Sequence, residues 1–354
     1  MAGANAASST AIQATAWRQW EVYCAVGGVS PWLRKEEFRG NEERLLDYIA
    51  HLYFIMNRAV STIKGKLSSI AQEHVLEGYE NPIDGLIRIT KALRTIKRQS
   101  GGPRRKTPAG PPLVSRAIRL SQDDDSPYDS TVLRAALTLG FKFLLRGSEF
   151  LFRDSGGWDL TKVLRGVDLE FRAKGVRQPV PLRDPAVVDE VVLYQRAAKG
   201  DQFNAGTVRN HFRSHDGDVL CVVQALVSLA TLAPDRWLTG ANCPLLVRSN
   251  GLPVRRSEIR DLLRKAATTL GLPVNDFTVH SLRSGGASAI FAATGDEQLV
   301  RRFGRWASEA YRGYIWETHG LSRGLSAKMS SAQWDLQAGL DSQRLADLPD
   351  TTGA

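Results

Sequence analysis

Residues 100–112 read SGGPRRKTPAGPP, and this stretch constrains the chain more than any other. Its glycines and prolines oppose helix and strand alike, so it reads as a linker. It separates two texts of different period. Before it, over residues 11–99, apolar residues recur only at helical spacing. Ile12, Trp17, Trp20 and Tyr23 form a first amphipathic segment. A second covers residues 41–58, acidic at its start and basic at its end, as the helix dipole favours. A third, over residues 61–77, is closed by Gly78, and a fourth covers residues 82–100. Short connections between them predict a compact bundle of four or five helices.

Beyond the linker the period changes. Residues 130–145 are apolar and helical, and then Val167, Leu169 and Phe171 alternate, as do Val180 and Leu182, with AKGVRQ between. Period two on both sides of a turn predicts a hairpin. Helices are expected again at 185–198 and 219–232, separated by a glycine-rich, charged loop over 200–217. PLLVRSNGLPV reads as extended, and 255–270 as a further helix. The expected fold is mainly α with a small β-sheet. Its parts are a disordered tail (1–10), a helical domain (11–99), a basic linker (100–112), an α+β domain (113–322), and a C-terminal helical segment and tail (323–354).

A length of 354 residues fits two domains. The net charge of +10 favours a polyanionic partner, most simply nucleic acid. Part of that charge gathers at the linker: Lys91, Arg94, Lys97, Arg98, Arg104, Arg105 and Lys106. These are candidate phosphate contacts, although charge in a linker also serves solubility alone. Cys24, Cys221 and Cys243 are far apart and odd in number, which speaks against a disulfide framework and for a reducing compartment. His211 and His215 stand four apart with no further ligand nearby, so no metal site is expected. No apolar run has the length of a membrane span, and MAGANAASSTAIQ lacks the basic start and apolar core of a signal peptide. The expectation is a chain that is neither membrane-bound nor secreted.

The chemistry gathers in residues 278–316, TVHSLRSGGASAIFAATGDEQLVRRFGRWASEAYRGYIW. His280 and Arg283 are three apart and share a helix face. Trp306 and Tyr314 are eight apart, a little over two helical turns. An imidazole, a guanidinium, an indole N–H and a phenol together are suited to holding a phosphate while an oxygen attacks it.

Other segments match that chemistry in order. Arg146-Gly-Ser-Glu149 resembles the first arginine motif of the tyrosine recombinases, the phage integrase family. AKGVRQPVPL, with Lys174 at its turn, resembles that family's catalytic hairpin, HSLRSG its H-x-x-R box, and the segment from Trp306 to Tyr314 its last two functional positions. The resemblance covers roughly residues 11 to 340, since the layout of helical domain, linker and larger domain also corresponds. FGRWASEAYRGYI is similar to the eukaryotic mobile-element branch, the crypton-type and DIRS-type recombinases. Many bacterial members carry histidine where Trp306 stands, with a spacing to the tyrosine one residue longer.

The resemblance implies cutting and rejoining of double-stranded DNA through a 3′-phosphotyrosyl intermediate, with no metal and no cofactor. Tyr314 is the implied nucleophile, with Tyr311 as its rival. Arg146 and Arg283 are implied to hold the non-bridging oxygens, where preorganised donors do most for catalysis. Ionising a free tyrosine at pH 7 costs about 4 kcal/mol. Nearby arginines lower that cost, and His280 accepts or relays the proton. Lys174, or its rival Lys162, supplies a proton to the leaving 5′ oxygen. Trp306 donates its indole N–H to the phosphate, and Glu149 orients an arginine or His280. Strand exchange implies a homotetramer on two duplexes. Residues 325–340, with Trp334 and Leu336 as anchors, are the candidate docking segment, either on a neighbour or on their own domain. In a eukaryotic host the chain is expected in the nucleus, otherwise with the bacterial nucleoid. Two other readings remain open: a domesticated protein that grips DNA without cutting it, and a DNA-relaxing enzyme like type IB topoisomerases.

Overall fold

A computed structural model describes residues 7–100, 107–155, 160, 163–196, 206–238, 243–316 and 330. The chain divides into two compact units, 1–104 and 105–354.

The first unit is helical throughout its described residues. It contains α1 (Ala7–Val26), α2 (Phe38–Ala50), a π-helical turn (His51–Ile55), α3 (Val60–Leu76) and α4 (Ile87–Gln99). Helix α1 begins inside the stretch expected to be a disordered tail, because Ala7–Thr10 continue its turn; residues 1–6 lie outside the described residues. Apolar side chains three and four apart meet in one core, including Trp17, Trp20, Leu45, Ile63, Ile70 and Ile89. Helix α4 shows the logic most simply. Ile89, Leu93 and Ile96 are buried, while Lys91, Arg94, Lys97 and Arg98 are exposed. The basic face is thus free for solvent or a polyanion. Arg104, Arg105 and Lys106 lie outside the described residues.

The second unit opens with α5 (Pro111–Asp124) and α6 (Pro127–Lys142), followed by the single turn α7 (Gly147–Phe150). Pro127 begins α6 behind the N-cap Ser126, whose hydroxyl accepts from the Asp129 N–H at 3.2 Å. Next come β1 (Leu169–Ala173), β2 (Val176–Gln178), β3 (Glu190–Gln195) and β4 (Thr207–Phe212). They form one antiparallel sheet in the order β2-β1-β3-β4. Phe171 pairs with Gln178 on one side and Val191 on the other, and Val192 pairs with Asn210. Helices α8 (Val222–Leu232), α9 (Arg256–Thr269), α10 (Val279–Thr294) and α11 (Glu297–Phe303) complete the unit, followed by a 3-10 turn (Glu309–Gly313). The fold is therefore mainly α with a small β-sheet.

Three local expectations are corrected. The helix expected over 185–198 is strand β3, buried on both faces except at Tyr194. A strand covered on both sides loses its alternation and imitates a buried helix. The expected loop over 200–217 contains the edge strand β4, whose outward Val208 and Phe212 are exposed. The second hairpin strand lies closer to the turn than Val180 and Leu182, which fall outside the sheet.

Glycines bring the site's elements together. A side-chain carbon at Gly286 would lie 2.1 Å from the Phe141 carbonyl oxygen, and one at Gly285 would lie 1.9 Å from that of Ala109. Both clashes are with backbone, so α10 lies directly on the end of α6 and on the fully buried Ala109. The Ala109 N–H donates to the Ser281 carbonyl at 2.8 Å, which joins the last residues of the expected linker to the second unit.

Candidate active site

Helix α10 presents His280 and Arg283 from its first two turns, capped at Thr278, whose N–H donates to the Ser281 hydroxyl at 3.1 Å. Arg283 is wholly buried. Its guanidinium lies 4.2 Å from the Trp306 ring centre and 5.6 Å from that of Tyr314. One terminal nitrogen donates to the Leu144 carbonyl and the other to the Gly304 carbonyl at 2.6 Å. Leu144 stands at φ +52°, a left-handed conformation that is costly for a leucine. That strain accompanies the aim of its carbonyl at Arg283.

Tyr314 ends the 3-10 turn, half-buried. Its ring lies 4.9 Å from that of His280 and 4.8 Å from that of Trp306. Two hydroxyls of α10 hold its backbone: Ser284 and Ser288 donate to the Tyr314 carbonyl at 3.2 and 3.1 Å. Trp306 is buried, and Gly304 makes room for it, since a side-chain carbon there would fall 1.5 Å from the indole. Tyr311 is fully buried and donates its hydroxyl to Glu297 at 3.1 Å. The rival tyrosine is thus engaged elsewhere, while Tyr314 faces the imidazole and indole.

Arg146 enters from the other side, where α6 ends and α7 begins. Its terminal nitrogen donates to Glu149 Oε1 at 3.0 Å, and its backbone N–H donates to Oε2 at 2.8 Å. Glu149 is buried, and its Oε2 also accepts from Arg305 at 3.0 Å. Arg305 is a site residue that sequence reasoning missed. It follows Gly304 without any periodic signal, yet its side chain is 4% exposed and its φ is +59°. Two guanidiniums, Arg146 and Arg305, therefore hold one carboxylate, and a third, Arg283, feels its charge.

The electrostatics follow from that excess. Burial first, then the charges of Arg146 and Arg305, lower the pKa of Arg283 to about 9, with Glu149 opposing. Burial, Arg283 and Arg146 lower the pKa of His280 from its ordinary value of 6.5, although the residue as a whole is exposed. His280 is thus neutral at pH 7 and able to accept a proton. Buried positive charge held above its comfortable level is a receptor for an oxyanion.

Lys174 lies apart from this cluster. It occupies the tip of the β1–β2 turn at φ +50°, exposed, with only its backbone N–H held, by Asp189 at 3.0 Å. Among the described residues no hydrogen bond or ion pair engages its ammonium. Lys162, residues 325–329 and 331–340, and with them Trp334 and Leu336, lie outside the described residues.

No family model matches the chain, and no curated protein matches it significantly. Solved structures do match along most of its length. The XerH site-specific recombinase bound to palindromic difH substrate, in a post-cleavage complex, is 14% identical with a TM-score of 0.55, over 91% of this chain and 79% of that one. The Tn1549 transposon integrase in complex with transposon right end DNA is 14% identical with a TM-score of 0.54, over 93% and 96%. At such identity the likeness is one of fold: the chain is built like the tyrosine recombinases and integrases. No described helix is long and apolar enough to cross a membrane.

Proposed function

We propose that the chain is a metal-independent tyrosine recombinase that cuts and rejoins double-stranded DNA, with Tyr314 as nucleophile. The observation that carries this reading is the packing of the Tyr314 ring against His280 and Trp306, with Arg283 behind both rings. Arg146 donates to a non-bridging oxygen of a phosphodiester, and the buried Arg283, whose terminal nitrogens hold the Leu144 and Gly304 carbonyls, adds its positive charge from behind the two rings and stabilises the charge that grows there. Neutral His280 takes the phenolic proton as the Tyr314 oxygen bonds to phosphorus. The 5′ oxygen leaves with a proton from Lys174, and a 3′-phosphotyrosyl link remains. That link stores the phosphodiester energy, so a second 5′ hydroxyl reverses the step without ATP. Trp306 donates its indole N–H to the phosphate and backs the tyrosine.

DNA complexes of the XerH recombinase and the Tn1549 integrase, which share the fold, support duplex DNA as substrate. The exposed basic face of α4 supports a phosphate-tracking role for Lys91, Lys97 and Arg98, which extends to Arg104, Arg105 and Lys106. On the finer reading, the GRW wording assigns the chain to a eukaryotic mobile element of crypton or DIRS type, acting in the nucleus as a homotetramer on two duplexes. The proposed parts are a helical DNA-gripping domain from α1 to α4, a basic linker between α4 and α5, and a catalytic domain from α5 to residue 322.

The test is covalent capture on a pool of nicked duplexes of random sequence. Wild type forms a protein–DNA adduct at a subset of sequences, Tyr311→Phe retains it, and Tyr314→Phe loses it. An adduct that survives Tyr314→Phe overturns the assignment of the nucleophile.

A further inference from the structure

Glu149 divides its two oxygens unequally. Oε1 accepts from the Arg146 side chain at 3.0 Å, while Oε2 accepts from the Arg146 backbone at 2.8 Å and from Arg305 at 3.0 Å. A carboxylate left alone with a guanidinium tends to close a two-pronged pair, fork to fork. Here the second prong is taken, so Arg146 is held by one terminal nitrogen.

Arg305 is well fixed for that role. Its other terminal nitrogen donates to the Gln195 side-chain oxygen at the end of β3. The nitrogen on Glu149 also reaches the Leu144 carbonyl at 3.4 Å, the carbonyl that Arg283 uses. Its Nε is buried without a partner among the described residues. The residue keeps a left-handed backbone that any glycine would adopt more easily, and it keeps a buried charge whose pKa burial lowers and Glu149 partly restores. Both features are costly, and both serve to put one guanidinium beside Glu149.

We propose that Arg305 is a positioning residue: by occupying one oxygen of Glu149, it prevents the carboxylate from capturing the whole Arg146 fork and leaves Arg146 donors free for a phosphate oxyanion. This rests on the reading of the site as a phosphodiester-binding centre. Arg305 thus touches Glu149, which holds Arg146, and the Leu144 carbonyl, which Arg283 also uses, so one side chain adjoins the supports of both arginines.

The experiment uses inorganic phosphate on the full chain, with the dissociation constant read from the His280 ring signals by NMR, well below the melting temperature. Arg305→Gln weakens phosphate binding about tenfold, the scale of one charge-assisted hydrogen bond. Arg305→Lys, which keeps the charge in place for a variant less prone to unfold, gives an intermediate value. In a Glu149→Gln background no carboxylate competes for Arg146, so adding Arg305→Gln costs clearly less. An equal cost in both backgrounds means that Arg305 acts by charge alone and overturns the positioning role. A lowered melting temperature with unchanged phosphate affinity reduces Arg305 to a structural part and also overturns it. Arg146→Gln separates the two levels. If it abolishes binding while Arg305→Gln leaves the affinity unchanged, only the positioning inference fails; if it leaves binding intact, the site reading fails with it.

Discussion

Arg283 and Lys174 are both cations of the proposed centre, and their surroundings could hardly differ more. Arg283 is wholly buried, engages two backbone carbonyls and lies against two aromatic rings. Lys174 is exposed at a hairpin tip, and among the described residues only its backbone N–H is held. The contrast follows from their proposed roles. A group that stabilises charge must be in position before the charge appears, because reorganising it during reaction forfeits the benefit. A group that delivers a proton needs to arrive only once. Rigidity around Arg283 and freedom around Lys174 are therefore two forms of the same requirement, and each predicts a different response to substitution.

The largest effect belongs to the buried side. In Gly285→Ala the new carbon meets the Ala109 backbone, which cannot swing away. We expect a loss of about 3 kcal/mol or more in urea unfolding, with adduct formation lost as α10 is pushed off its seat. Arg283→Met comes next. It removes a buried charge that burial and like-charge neighbours already disfavour, but it leaves the Leu144 and Gly304 carbonyls without that donor. A net loss of about 2 kcal/mol is expected. If Arg283→Met proves more stable than wild type, the arginine is kept at a cost for function alone, which would sharpen the contrast with Lys174.

The parts of this site that sequence alone could find are those with a spacing. His280 and Arg283 show a helical interval, and Trp306 and Tyr314 lie at a readable distance in a recognisable order. Arg305 has no interval to anything: its role depends on a left-handed backbone and on Glu149, far away in sequence. Ser284 and Ser288 have a helical interval of four, but their partner is a backbone carbonyl, which sequence does not announce. Strand β3 was hidden for another reason. VVLY is buried on both sides apart from Tyr194, and a run without alternation carries no sign of its period.

Those serines give a smaller effect than Arg283. Together, Ser284→Ala and Ser288→Ala remove both side-chain donors to the Tyr314 carbonyl and the acceptor of the Trp316 N–H. About 1 kcal/mol of stability is at stake. The sharper readout is the Tyr314 ring signal, which broadens if these hydroxyls hold the tyrosine against His280 and stays unchanged if ring packing alone does.

His280 offers a pH test of the Arg283 side of the site. Its pKa in the folded chain lies below 6.5, so above that pH the ring is neutral in both states and contributes no pH dependence. As pH falls through 6.5, the unfolded chain takes the proton first, and folding stability drops until the folded ring protonates too. His280→Gln should flatten this part of the stability–pH curve measured by urea midpoints. Bound phosphate places negative charge beside the ring and raises its pKa, so the drop shrinks when phosphate is present.

Lys174 should move stability least, and in the opposite direction. At φ +50° a lysine is strained and a glycine is not, so Lys174→Gly stabilises the fold by about 0.5 kcal/mol while removing the ammonium. If the ammonium protonates the leaving oxygen, adduct formation slows about a hundredfold at unchanged phosphate affinity. Replacing that 5′ oxygen by sulfur, a better leaving group, removes the need for the proton and restores the rate in Lys174→Gly but not in Arg283→Met. A Lys174→Gly variant that is both more stable and fully active would leave the strained backbone at this turn without a catalytic reason, and the general acid would have to be sought elsewhere.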